Sequence, residues 1–279
     1  MIFIGEILLY VCLFTPIDLT YTLYKILFNR KKERRKKVEN VAVIVGLCIA
    51  EILVILLLKV VLKIKMGSIK EIKENKEIQE IVDKFPENKE VCREILKNLG
   101  NTTTIIKESE NKENQASFYI AVTNTIWIAN IKDTYTRIQT IAHECLHSVQ
   151  DRRLLLFNFI YANFYMLYFV VSLVLLLFGI GDVLVQNTIL LFLGFIFYIV
   201  RSYLEIDAMT KARYVAENYM KDYIKQNPIC SSKEVEDIGK VYGKINQIGI
   251  TFTCFWLAVT VLRKMMLYNL VALAIAVML

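Results

Sequence analysis

Residues 154–180 form an apolar run whose strongly polar interruptions are Asn158 and Asn163. After a Gly-Ile-Gly-Asp turn, residues 183–200 form a second one. A hydrocarbon core of about 30 Å needs about 20 helical residues to cross it. The two runs and the tight turn therefore predict a transmembrane helical hairpin. Residues 41–62 (VAVIVGLCIAEILVILLLKVVL) are long enough for another crossing, and residues 7–28, broken by Pro16 and Asp18, predict a less regular first one. That first run has no basic leader and no small-residue cleavage site, so it reads as a retained span. Residues 248–279 hold two apolar stretches of about 15 residues, each roughly 22 Å as helix, split by Arg263-Lys264. Two short spans, a re-entrant hairpin, or one span with an interfacial helix all fit them. The fold class this predicts is an α-helical multi-pass membrane protein of the cell membrane.

Charge follows the same division. Net charge is +7, yet residues 29–38 (NRKKERRKKV) hold seven Lys/Arg against one Glu, while residues 66–153 hold 13 basic and 14 acidic groups. A basic excess confined to one short loop between apolar blocks argues against a nucleic-acid partner and for a lipid bilayer. Placing that loop in the cytoplasm puts residues 66–153 outside. Lys63, Lys65, Arg152, Arg153 and Arg201 flank spans on the opposite side and argue the reverse, so the membrane face stays open. The six cysteines, Cys12, Cys48, Cys92, Cys145, Cys230 and Cys254, form no C-x-x-C pair and no disulfide framework. Glu51 sits in the middle of a span, where an ionisable group is either a functional site or a packing contact with other helices. A transporter built on Asp18 and Glu51 is one function class to weigh.

Between the spans the pattern changes. Residues 66–100 are rich in Lys and Glu, with a loose apolar stripe at Ile69, Ile72, Ile78 and Ile81 and a break at Pro86. Val91, Ile95, Leu96 and Leu99 predict a helix over 87–99, closed by Gly100. From 102 to 129 the apolar period drops towards two, so TTTIIKES and SFYIAVT read as strands around the polar turn Glu110–Gln115, with TIWIA a third. Residues 134–150 return to helix, with a capping box at Thr136 and Gln139 and a stripe at Ile138, Ile141, Cys145 and Val149. A small α+β unit with a zincin-like helix is expected there. The strand Ile126-Trp127-Ile128 is either an edge that an extended peptide could join or an interior strand of a small sheet.

The chain has two histidines, and both lie in His143-Glu144-Cys145-Leu146-His147. Residues four apart on a helix lie about 40° apart around its axis, so both imidazoles face one point. Zn²⁺ accepts imidazole nitrogen at about 2.0–2.1 Å in tetrahedral geometry. Glu144 is rotated about 100° from His143, beside such an ion, where it can take a proton from an attacking water. A catalytic zinc site needs a third protein ligand and one open position. With no third histidine, a carboxylate is the expected partner. If 154–180 and 183–200 both cross, the chain returns to the histidine side just before Glu205. Asp151 lies four residues past His147 on what reads as one helix, and Glu217, Glu234 and Glu236 lie farther along. If Cys145 or a second carboxylate closed the shell, the site would be structural, and the protein a non-catalytic zinc-binding sensor or interaction protein.

HECLHSVQ, a two-span hairpin and then LEIDAMTKA resemble the neutral zinc metallopeptidases of bacterial membranes, whose pattern is like H-E-x-x-H-A-x-Q followed by E-F-D-A-S. More distantly, the chain is similar to HtpX-like and CAAX-prenyl proteases. The resemblance covers roughly residues 117–215. It implies that His143, His147 and Glu205 bind zinc and that Glu144 is the catalytic base. Gln150 and Asp207 match further motif positions, and both are candidates to support the ligands from behind. For Asp207 a surface pair with Lys211 is the alternative. Leu146 and Ser148 depart from the family's Gly and Ala, and Met209 from the Asp of HtpX-like chains. The implied activity is zinc-dependent endopeptidase cleavage of membrane or membrane-proximal proteins. The implied organisation is an N-terminal pair of spans with a basic loop (1–65), the unit carrying the motif (66–153), the hairpin (154–200), a helix with the third ligand (201–245) and C-terminal apolar spans (246–279).

Overall fold

The computed structural model describes residues 41–64, 75–109 and 116–278. The first apolar block, the basic loop 29–38 and the turn Glu110–Gln115 lie outside these residues. The described chain is mostly helical, with one three-stranded sheet. Helix α1 is Val41–Val61. Helices α2 (Lys76–Val82) and α3 (Asn88–Asn98) precede strands β1 (Ile105–Glu108), β2 (Phe118–Ile120) and β3 (Thr125–Ile128). Then come α4 (Arg137–Val149), α5 (Arg152–Leu177), α6 (Val183–Gln226) and α7 (Ser232–Met278). Among the described residues, α1, α5, α6 and α7 are long and apolar enough to cross a membrane.

Two compact units divide the chain: Leu53–Met265, and Met1–Ile52 with Met266–Leu279. Within the second unit Glu51 is buried, and its Oε1 accepts a hydrogen bond of 2.8 Å from Asn269 Nδ2.

In the first unit, α5 and α6 each begin with an aspartate cap. Asp151 Oδ1 accepts from the N–H groups of Arg153 and Leu154, and Asp182 Oδ1 from those of Leu184 and Val185. Side-chain acceptors of this kind satisfy N–H groups that a helix start leaves open. The apolar part of α6, residues 183–200, runs without a break into the polar part, 201–226. Helix α7 is also continuous, so Arg263-Lys264 interrupts the hydropathy but not the backbone. The Lys264 ammonium lies 4.9 Å from the Tyr165 ring centre and 5.9 Å from that of Phe197. Stacking on aromatic faces gives the charge a partner inside an apolar packing layer. Gly194 permits this approach, since a Cβ there would stand 2.3 Å from Val261 Cγ1.

The globular core lies where α4 packs on α3, on the sheet and on the polar half of α6. Ile138, Ile141, Ala142 and Cys145 are buried on α4, against Ala208, Ala212 and Ala216 on α6. The alanines recur every fourth residue, so they line one face and let the helices approach closely. Each isoleucine removed from water contributes about 1.5–3 kcal/mol. Val149, the last member of the expected stripe, is exposed instead, because α4 ends there. The expected capping box is absent. Thr136 makes no side-chain cap, and Gln139 turns inward to donate to Tyr242 O and Asn246 Oδ1 on α7.

The sheet order is β1-β3-β2, with β1 parallel and β2 antiparallel to β3. This decides between the two readings of Ile126-Trp127-Ile128, as an edge or as an interior strand, in favour of the interior. β3 is the central strand, with Ile126 and Ile128 fully buried, and β2 is an outer strand. The tight hairpin joins β2 to β3, where Asn124 takes a positive φ of 47°.

Candidate metal centre

Helix α4 presents His143 and His147 on one face, one turn apart. Their Nε2 atoms lie 3.1 Å from each other. Glu205, on α6 just beyond its apolar part, places Oε2 at 3.4 Å from His143 Nε2 and 3.7 Å from His147 Nε2. A tetrahedron with ligands about 2.05 Å from its centre has edges of about 3.3 Å. The three separations are close to those edges, so one ion fits all three atoms, and these residues could hold a metal. Among the described residues no other group of His, Cys, Asp and Glu meets this condition.

Two of the three ligands, His147 and Glu205, are oriented from behind. Helix α4 stops at Gln150, whose backbone is extended (φ −66°, ψ 165°), and this bend carries its side chain back to His147. The Gln150 amide nitrogen donates to Leu204 O at 2.8 Å and to Asp207 Oδ2 at 3.0 Å. Its oxygen therefore faces His147 Nδ1, 2.8 Å away. Nδ1–H donates, which leaves Nε2 turned to Glu205, where it donates when protonated and offers its lone pair to an ion when it is not. Asp207 has both relations open to it in the sequence: Oδ2 accepts from Gln150 and Oδ1 pairs with Lys211. Arg201 Nη2 lies 2.7 Å from Glu205 Oε1, which leaves Oε2 for the imidazoles. Sequence reasoning gave Arg201 no such weight. Its one signal was the i,i+4 spacing to Glu205.

Electrostatics follow from burial and these contacts. Burial works to raise the Glu205 carboxyl, but hydrogen bonds from both imidazoles and the Arg201 charge outweigh it and hold the group far below the usual carboxylate range. Burial pushes the Glu144 carboxyl up, and the neighbouring histidines recover only part of that shift. For His147, burial lowers the imidazole, yet the bond and charge of Glu205 leave it raised overall.

The other candidates lie elsewhere. Cys145 is buried on the far side of α4, its Sγ 3.6 Å from Cys92 Sγ. Asp151 is not on the histidine helix at all, because it caps α5 after the break at Gln150. Glu217 pairs with Lys221, and Glu234 closes a turn with Ser231. Glu236 is exposed on α7.

The triad opens into a cleft of about 540 Å³. Glu144 lines it beside the histidines, with β2 on one wall and α5 on another.

No protein-family model, curated protein sequence or solved structure matches the chain.

Proposed function

We propose that the protein is a membrane zinc endopeptidase. The observation that carries this reading is the convergence of two imidazole nitrogens and one carboxylate oxygen at tetrahedral spacing, in an open cleft, with a further carboxylate beside them. His143, His147 and Glu205 would hold Zn²⁺, which when bound polarises a carbonyl and makes water a nucleophile near neutral pH. Glu144 accepts the proton of the attacking water and returns it to the leaving amine. Its raised proton affinity suits that task, because an effective general base titrates near the working pH. Arg201 and Gln150 keep Glu205 and His147 in place while this occurs.

Among the described residues β2 has a strand partner on one side only and lines the cleft, so an extended peptide can be held there as an added strand. The motif pair HECLHSVQ and LEIDAMTKA supports the same reading by resemblance. A structural zinc site closed by Cys145 is disfavoured, since that thiol faces Cys92. The test is zinc stoichiometry with cleavage of a generic protein substrate, comparing the wild type with Glu144→Gln. The variant should keep zinc and lose cleavage, and full cleavage by the variant would end the mechanism.

A further inference from the structure

The metal cleft is one end of a longer channel. At Tyr119 and Leu155 it meets a polar hollow of about 390 Å³, since both residues line both spaces. Asn124, the positive-φ residue of the hairpin, ties that hollow to the sheet. Its Oδ1 accepts from Thr104 Oγ1 at 2.9 Å and from Tyr119 Oη at 3.0 Å. Asn101 secures the far side by donating to Ser148 Oγ at 2.9 Å. At Asn101 and Thr102 the hollow meets a third space, a groove of about 440 Å³ between α3 and β1.

This groove has a different character. Lys89, Arg93 and Lys97 line it from α3, together with the apolar Leu96 and Ile106. Steps of four residues turn only about 40° round a helix, so the three cations form one row with a rise of about 6 Å between neighbours. All three residues are exposed. Glu90 and Glu94 follow Lys89 and Arg93 in sequence, but each is rotated about 100° round the helix, and neither lines the groove. Residues 66–153 hold 13 basic and 14 acidic groups, so the row arises from placement and not from composition.

A row of that spacing selects its partner. An extended chain rises about 3.3 Å per residue, so side chains on one side of it stand about 6.6 Å apart. Acidic residues at every second position therefore meet the three cations in turn. A lipid headgroup with one phosphate spans a single step of the row. None of the residues lining the groove is aromatic, so nothing there stacks a nucleobase. An extended peptide also suits the continuity of the channel, because one chain can run from the groove past Tyr119 to the metal centre.

We propose that the groove between α3 and β1 is a docking site for an acidic stretch of the substrate polypeptide, which lies extended along Lys89, Arg93 and Lys97 while the scissile bond sits at the metal centre. This rests on the endopeptidase reading and adds to it a substrate class and three specificity-determining residues. Exposed ion pairs are individually weak and screened by salt. The groove therefore acts through their sum, on binding and not on the chemical step.

The test uses the full-length protein in proteoliposomes of neutral lipid. Two peptide probes share a degenerate central segment, flanked on both sides by Glu-Ser repeats in one and by Gln-Ser repeats in the other. The wild type should cleave the Glu-flanked probe with a KM about tenfold lower and the same kcat, and added salt should erase the difference. Lys89→Gln, Arg93→Gln and Lys97→Gln together should remove the preference and leave zinc content and cleavage of the Gln-flanked probe unchanged. Lys233→Gln, Lys240→Gln and Lys244→Gln, at exposed positions of α7, change the net charge equally and should leave the preference intact. For location, a photo-crosslinking amino acid replaces Thr102 at the junction, or Ile105, which alternates with Ile106 on β1, in the Glu144→Gln background. Position 102 should capture the Glu-flanked probe about tenfold more than the Gln-flanked one, and position 105 should show no such difference. Equal KM values for the two probes, loss of the preference in the α7 variant, or capture of lipid in place of probe from 102 in bilayers containing phosphatidylglycerol overturns the proposal. Selective capture from 102 without cleavage of either probe by the unmutated protein leaves the groove assignment standing and overturns the hydrolytic reading instead.

Discussion

The two ends of α4 treat buried polar groups in opposite ways. At the N-terminal end, Arg137 is 1% exposed and closes its guanidinium on its surroundings. Nη1 donates to Pro86 O and Asn88 Oδ1, and Nη2 to Val82 O and Phe85 O, at 2.8–3.1 Å. Both terminal nitrogens meet acceptors, while Nε is buried without one, and the group pins α2, α3 and their connection to α4. At the C-terminal end, three acceptor atoms of His143, His147 and Glu205 point at one another, and the cleft leaves them accessible. Like lone pairs held together are stable only with a proton or a cation between them. A closed polar cluster holds a fold together, whereas an open and unbalanced one is available for chemistry. This contrast predicts that substitutions at one end change stability and at the other change metal or turnover.

The largest effect is expected at Glu144. Glu144→Gln should lower turnover by about 10²–10⁴-fold with unchanged zinc content and unchanged thermal unfolding, read by single-turnover cleavage and metal analysis. Arg137→Met should do the converse. It strands three backbone carbonyls and Asn88 in the core, so unfolding should become easier by about 3–5 kcal/mol. The fraction that remains folded should bind zinc normally. Denaturant titration in detergent with parallel metal analysis checks this, and a selective loss of zinc would break the contrast between the two ends.

Next comes the third ligand. Glu205→Ala should weaken zinc binding by more than about 100-fold, beyond the range usual for groups that only support a ligand. Glu217→Ala, whose carboxylate pairs with Lys221, should leave zinc binding unchanged. Competition against a zinc chelator separates the two, and the opposite ranking would remove Glu205 from the centre. A smaller effect belongs to the residue behind His147. Gln150→Leu should weaken zinc by about 10–100-fold, because the imidazole loses the acceptor that fixes its tautomer. Asp207→Asn should cost less, since it touches the centre only through Gln150, and the same competition assay orders the pair. If Asp207→Asn proves the more damaging, the chain from Asp207 through Gln150 to His147 is misassigned.

Much of the architecture follows from local pattern. Apolar length alone marks α5 and the first half of α6, because a bilayer or a helical core demands the same continuous surface from every turn. The spacing of His143 and His147 puts them on one face of any helix that forms there, and Glu144 beside them, since 100° per residue is a property of the backbone. The polar half of α6 carries Glu205 one turn past the apolar run, and the hairpin alone brings that turn back to the histidine side.

Tertiary structure decided what depends on distant partners. The period-two segments identify β1, β2 and β3 but not their order, because alternation says which face is buried and nothing about which neighbour pairs. So β3 is interior and β2 lies along the cleft. Cys92 and Cys145 are 53 residues apart and meet in the core, a contact that no spacing rule encodes. Gln139 resembles a cap and serves instead as a buried link to Tyr242 and Asn246, because α7 packs over it. Arg263-Lys264 looks like the end of a span, yet α7 continues, since Tyr165 and Phe197 supply faces for the cation. Asn158 reads as a blemish in a hydrophobic run. Only the position of α5 beside the three converging ligand atoms places it in the lining of their cleft.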